Sequence, residues 1–146
     1  MKIKKILIKA YLLLSCLVLS LFRGRADKGS VPNKFLIIQT AKLGDMVCTT
    51  PLFRAIKKQY PEAKVIVAGN VPNKELLAGN NDIDLYYVLN KQSLFHLIPI
   101  LKKEKIDFAC ITSPGFENLA LAYLAGVSKI VVPVVKNGFC PFETFF

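Results

Sequence analysis

Apolar residues recur along the chain in two alternating rhythms. Residues 35–38 form a short apolar run of strand length, as a buried strand requires. The polar, small stretch 39–44 follows. Beyond Asp45 the apolar positions Leu52, Phe53, Ile56 and Tyr60 fall at helical spacing. The pattern then repeats. Residues 64–68 read as a strand, and 71–77 as a short helix with Pro72 near its start and Gly79 as its stop. Residues 85–89 read as a strand. Ser93 is a candidate N-cap for a helix running to Lys105, with Pro99 predicting a kink or a later start. Residues 106–112 read as a strand, and Ser113 or Pro114 opens a helix through Leu124 that Gly126 stops. Residues 129–134 close the series as a fifth strand. Strands alternating with helices predict an α/β fold with a parallel sheet and right-handed crossovers. The expected strand order is 3-2-1-4-5, a Rossmann-like arrangement with the first strand central.

The segment before this alternation has a different character. Residues 10–22 are apolar or small throughout. As a helix they rise about 20 Å, less than the ~30 Å of a bilayer core. At 100° per residue Lys2, Lys5, Lys9, Cys16, Ser20 and Arg23 share one narrow stripe, and the rest of the cylinder is mostly apolar. A helix lying partly sunk in one leaflet has this layout; a spanning signal-anchor is the alternative. Gly24-Arg25-Ala26 is a poor signal-peptidase site. Residues 26–33 have linker composition, with Gly29 and Pro32 as breakers. The expected organisation is therefore a membrane-anchoring helix over 1–25, a linker over 26–33, one domain over 34–136 and a truncated tail over 137–146.

Charge and composition sharpen the picture. The 146 residues carry a net charge of +10 and are 53% hydrophobic, above the ~45–50% usual for globular chains. Disorder is thereby excluded as a class. Eight basic residues and one acid precede Phe35, so most of the excess charge flanks the apolar run. These cations bracket apolar residues and are not interleaved with stacking aromatics, which favours a membrane surface over nucleic acid as partner. The four cysteines, Cys16, Cys48, Cys110 and Cys140, form no Cys-x-x-Cys pair and His96 stands alone. No metal site or disulfide framework is expected; Cys16 and Cys110 read as small buried hydrophobes.

The candidate chemistry lies at the first strand-to-helix junction. No glycine-rich dinucleotide fingerprint and no Walker loop follows the first strand. Asp45 stands at a helix start, where the dipole favours an anion, and at the carboxyl end of a strand, where open α/β sheets bind ligands. Pyrophosphate at that point would meet like-charge repulsion. A neutral partner such as a sugar hydroxyl fits better. Asp45 is a candidate general base and equally a good helix cap. Thr40, Lys42 and Thr49 flank the same turn as candidate substrate contacts, with solvated loop polarity as the alternative. Gly44 is expected to permit a tight turn. Ser113 and Asn118 follow the fourth strand and are candidates to face the same crevice. Ser113 has no nearby His or Asp to make it a nucleophile. Asp82 and Asp84 read as turn acids.

The stretch Leu36-Ile-Ile-Gln-Thr-Ala-Lys-Leu-Gly-Asp45, with Thr49-Thr-Pro-Leu-Phe-Arg-Ala-Ile-Lys-Lys-Gln-Tyr-Pro61 behind it, resembles the N-terminus of the lipopolysaccharide heptosyltransferases, glycosyltransferase family 9. The resemblance continues through Ala63-Lys-Val-Ile-Val-Ala-Gly69 and Glu75-Leu-Leu-Ala-Gly-Asn-Asn-Asp-Ile-Asp84, covering roughly residues 34–135. Gln39 stands where the family usually has Arg. The resemblance implies the first of two Rossmann-like domains facing across a cleft, the GT-B architecture. It also implies that Asp45 deprotonates the acceptor hydroxyl for inverting transfer from a nucleotide-sugar. The donor, a co-substrate and not a resident cofactor, would be bound by a second domain that this chain lacks. The expectation is thus the acceptor-binding part of an enzyme acting on a glycan or glycolipid at the cytoplasmic face of the inner membrane, truncated and inactive alone. A membrane-tethered Rossmann-like binding module without catalysis is the alternative.

Overall fold

The computed structural model describes residues 11, 14–16, 31–90, 93–113 and 115–133. From residue 31 onward they form five strands and four helices: β1 (Lys34–Gln39), α1 (Leu43–Gln59), β2 (Lys64–Gly69), α2 (Val71–Leu76), β3 (Leu85–Val88), α3 (Leu94–Glu104), β4 (Phe108–Ile111), α4 (Phe116–Leu124) and β5 (Lys129–Val131); residues 11 and 14–16 are helical as well. All neighbouring strands are parallel, in the order β3-β2-β1-β4-β5. The expected order and the central first strand are both present.

The sheet is buried on both faces, which is why β1 and β2 read as unbroken apolar runs. On one face Phe35, Ile37, Val65 and Val67 pack against Met46, Phe53 and Ile56 of α1 and against Leu77. On the other, Leu36, Ile38, Ile66, Ala109 and Ile111 pack against Leu94, Leu97 and Leu101 of α3 and residues 119–122 of α4. Cys16 is buried in this second cluster, and burial pushes its thiol up to about 11. Tyr11 meets Phe95 edge to face, with ring centroids 6.2 Å apart. No helix among the described residues is long and apolar enough to cross a membrane. Most of the expected anchor, the linker up to residue 30, Pro114, Val134 and the 137–146 tail lie outside the described residues.

Three local features differ from expectation. Helix α1 starts at Leu43, so Asp45 is its third residue and Gly44 its second. Gly44 makes no tight turn: its φ is not positive, and a Cβ there would meet nothing within 4 Å. Helix α3 starts directly after Ser93 despite Pro99. The Ser93 hydroxyl does not cap it, but accepts the Asn90 N–H at 2.9 Å and lies 3.1 Å from the Val88 carbonyl. Pro51 sits inside α1, where its missing N–H leaves the Val47 carbonyl without its helical partner. The Thr50 hydroxyl supplies that bond at 2.8 Å. Where turns require left-handed backbone, Gly79 (φ +81°) and Gly126 (φ +79°) provide it.

Candidate active site

The first strand sends its chain to β2 on one side, while β4 arrives on the other, so a crevice opens at their carboxyl ends. Gln39, the last residue of β1, points to the α1 side and is buried. Its amide nitrogen donates to the Thr112 hydroxyl at 3.0 Å and lies 3.5 Å from the Thr49 hydroxyl. Its carbonyl oxygen accepts the Ala41 N–H at 2.9 Å. One neutral side chain thereby ties β1, α1 and the β4–α4 loop together. On the opposite face the Thr40 and Ser113 hydroxyls share a hydrogen bond at 3.1 Å. Asn118 donates to Thr40 Oγ1 at 3.0 Å and to the Ser113 carbonyl at 2.8 Å.

A second set of amides fixes the loop from the β2 side. The Asn70 side chain caps α2 through the Asn73 N–H at 2.9 Å and donates to the Ala41 carbonyl at 3.0 Å. Asn73, fully buried, donates to the Gln39 carbonyl at 3.3 Å. Gly69 is required here by close approach. A Cβ on it would collide with the Tyr86 hydroxyl and come within 2.7 Å of the Gln39 carbonyl oxygen.

The resulting cleft has a volume of about 460 Å³ and is lined by Gln39, Ala41, Asp45, Cys48, Thr49, Leu52, Thr112 and Ser113. Asp45 is the one charged residue among them. Its Oδ2 accepts the Lys42 backbone N–H at 3.1 Å, the half of a capping box that the third helical residue supplies. The reciprocal half is missing, because a lysine ammonium has no acceptor. No cation pairs with Asp45 among the described residues. Hydroxyls and one carboxamide surround a single carboxylate, a set suited to holding and deprotonating a hydroxyl-bearing ligand.

Of the residues singled out from sequence, Asp45, Thr49 and Ser113 meet in this cleft. Thr40 and Asn118 stand behind Ser113 and hold it. Lys42 is exposed at the N-cap and Gly44 is exposed on the first turn, both outside the lining. Gln39, Cys48 and Thr112 were not anticipated as lining residues. For Gln39 and Thr112 the available signal was a polar side chain ending an apolar strand at the ligand-binding edge of the sheet. Asp82 and Asp84 lie away from the cleft lining. Asp84 is occupied by Lys57 at 2.7 Å and the Val65 N–H at 2.6 Å.

No protein-family model matches the chain. Lipopolysaccharide heptosyltransferase 3 of Escherichia coli is 37% identical over a 73-residue alignment covering 44% of this chain and 22% of that protein. The chain is glycosyltransferase family 9-like. Two solved structures share its fold. E. coli ADP-heptose lipopolysaccharide heptosyltransferase II superposes with a TM-score of 0.61 at 21% identity, over 68% of this chain and 30% of that one. A family 9 glycosyltransferase from Veillonella parvula gives 0.65 at 17% identity, over 82% and 36%. This family 9-like chain thus spans 22% of the curated relative's length and 30–36% of the two solved chains.

Proposed function

We propose that this chain forms the acceptor-side part of an inverting glycosyltransferase, with residues 34–136 as the acceptor domain. The sugar, a heptose or hexose, comes from a nucleotide-sugar held by a separate donor-binding domain. The acceptor is a glycan or glycolipid of the lipopolysaccharide-core type. The observation that carries the proposal is the lone carboxylate of Asp45 in a cleft otherwise lined by neutral groups. One of its oxygens is fixed by the Lys42 N–H at 3.1 Å, which leaves Oδ1 to take a proton.

In the reaction, an acceptor hydroxyl hydrogen-bonds to Asp45 and delivers its proton to the carboxylate as its oxygen attacks the anomeric carbon. The bond from that carbon to the nucleoside diphosphate breaks, and the leaving group departs with the electron pair. Configuration inverts because attack and departure occur on opposite faces. Thr49 and Ser113 hold neighbouring acceptor hydroxyls, and Thr40 fixes Ser113. Lys42 and Gly44 border the approach: the bare backbone at Gly44 leaves room for a sugar ring beside Asp45. The protein works at the cytoplasmic face of the inner membrane, with residues 1–25 as its tether.

The test is a protein bearing both this sequence and a donor-binding domain. Asp45→Asn keeps the shape and most of the capping ability but removes the base, so turnover should fall ~10²–10⁴-fold. Acceptor affinity and melting temperature should stay nearly unchanged. If Asp45 only capped the helix, Asp45→Asn would be almost silent, while Asp45→Ala would lose up to about 2 kcal/mol of stability. Turnover within a few-fold of the parent in Asp45→Asn removes the catalytic assignment.

A further inference from the structure

The hydrogen bonds around the cleft have a direction, and two side-chain amides set it. Asn118 Nδ2 lies 2.8 Å from the Ser113 carbonyl and 3.0 Å from Thr40 Oγ1. A carbonyl oxygen only accepts, so the amide nitrogen must face it, and both N–H groups are donated. Thr40 Oγ1 therefore accepts from Asn118. Its own proton goes to Ser113 Oγ at 3.1 Å, the partner that remains to it among the described residues. Ser113 Oγ then accepts from Thr40, and its own proton is left without an acceptor among the described residues. Ser113 is only 9% exposed and lines the cleft, so the cleft is where that proton can find an acceptor.

Gln39 sets the opposite sense on the other wall. Its Oε1 accepts the Ala41 N–H, and a backbone N–H only donates. Its Nε2 must then face the Thr112 and Thr49 hydroxyls. Thr49 gives its proton to the Asp45 carbonyl at 2.8 Å, and the Thr112 hydroxyl donates to the Ile38 carbonyl at 3.4 Å. With their protons held by the backbone, both threonines turn lone pairs to the cleft. The Asp45 carboxylate does the same.

We infer that Asn118 is a positioning residue. It orients Thr40, and through Thr40 it makes Ser113 a hydrogen-bond donor in a cleft where Asp45, Thr49 and Thr112 accept. The inference rests on the acceptor-side reading of this cleft and adds its polarity. The ligand that fits is a sugar fragment with donating hydroxyls toward Asp45, Thr49 and Thr112. At Ser113 it places an oxygen that accepts, such as a ring or glycosidic oxygen. The ammonium group of an amino sugar, which only donates, does not fit there.

The test titrates the whole chain with methyl L-glycero-α-D-manno-heptopyranoside and follows the amide shifts of the cleft residues. Ser113→Ala should weaken binding several-fold, as the loss of one neutral hydrogen bond does. Thr40→Val keeps the shape and removes the relaying hydroxyl. It should weaken binding as much, and the double variant should bind no more weakly than either. Thr40→Ser keeps the hydroxyl and should bind as the parent does. In Asn118→Asp the carboxylate takes the Thr40 proton, so the relay runs backwards and Ser113 turns lone pairs to the cleft. Adding Ser113→Ala to that variant should change nothing further. Additive losses for Thr40→Val and Ser113→Ala, or a Thr40→Ser variant as weak as Thr40→Val, overturn the relay and leave the acceptor-side reading standing. So does a Ser113→Ala loss as large in the Asn118→Asp background as in the parent, a comparison that holds even where Thr40→Val fails to fold. If the heptoside moves none of the parent's cleft resonances, both readings fall.

Discussion

The two duties that sequence leaves open for Asp45, helix cap and proposed general base, are compatible in the geometry. A cap at the third helical position uses one carboxylate oxygen on the Lys42 N–H, and the other remains for chemistry. The structure brings Asp45, Thr49 and Ser113 into one cleft, a juxtaposition legible from sequence because each sits next to an apolar run whose period fixes its place. For Gly44 sequence points to the wrong reason, since a glycine before an acid reads as a turn when nothing marks the helix as starting at Leu43. Lys105 shows the opposite case, a residue whose strain no pattern announces. It ends α3 at φ +52°, left-handed backbone that costs an L-residue roughly 1–2 kcal/mol. Lys105→Gly should therefore raise stability by about 1 kcal/mol, the relief being partly offset by the entropy glycine loses on folding. Denaturant midpoints of the two chains check it, and an unchanged or lower midpoint shows that the lysine side chain contributes what the backbone loses.

At the scale of elements, every strand and helix between residues 34 and 131 was legible, and the boundaries were less so. The fourth strand spans Phe108–Ile111, within the expected 106–112, and α4 begins at Phe116. Backbone pairing and caps decide those ends, and both depend on neighbours that periodicity does not encode. Prolines inside helices are a related case. Pro99 predicts a kink or later start, yet α3 begins at once because Leu94, Leu97 and Leu101 already bury one face. Pro51 is accommodated because Thr50 bonds to the Val47 carbonyl. Thr50→Val keeps the shape and removes that donor. It should cost about 1 kcal/mol, the usual net worth of one hydrogen bond. In a Pro51→Ala background the Val47 carbonyl regains its backbone donor, so the same substitution should cost measurably less. A double-mutant cycle on thermal midpoints reads the difference, and equal costs in both backgrounds would show that the hydroxyl does not substitute for the missing N–H.

Across the whole molecule, the two ends of the sheet carry different work. The carboxyl ends of the strands hold neutral amides and hydroxyls around one free carboxylate, and the opposite edge is stitched by ions. There Asp107 accepts the Asn33 and Lys34 N–H groups at 2.9 Å, Glu104 meets Lys34 and Lys64, and Asp84 joins Lys57 to the start of β2. Sequence composition shows the charges but not their pairing, because partners such as Lys57 and Asp84 lie far apart in the chain and meet only once the sheet is ordered. The Asp84 tie has a pH signature. Burial pushes its carboxyl up, but the Lys57 hydrogen bond, the Val65 N–H and the charges of Lys57 and Lys64 outweigh that and hold it below the usual carboxylate range. A folded-state value below the unfolded one contributes stability that is fully present above the unfolded pKa, about 3.9. That contribution is lost as pH falls through the folded value. The site is partly solvated, so the charge contributes about 1 kcal/mol or less. Asp84→Asn should thus lower the urea midpoint at pH 7, and the gap to the parent should narrow below about pH 4, where the parent's carboxylate takes up its proton. A gap of equal size at pH 7 and pH 3 would mean that Asp84 acts through the geometry of its hydrogen bonds alone, with no part played by its charge.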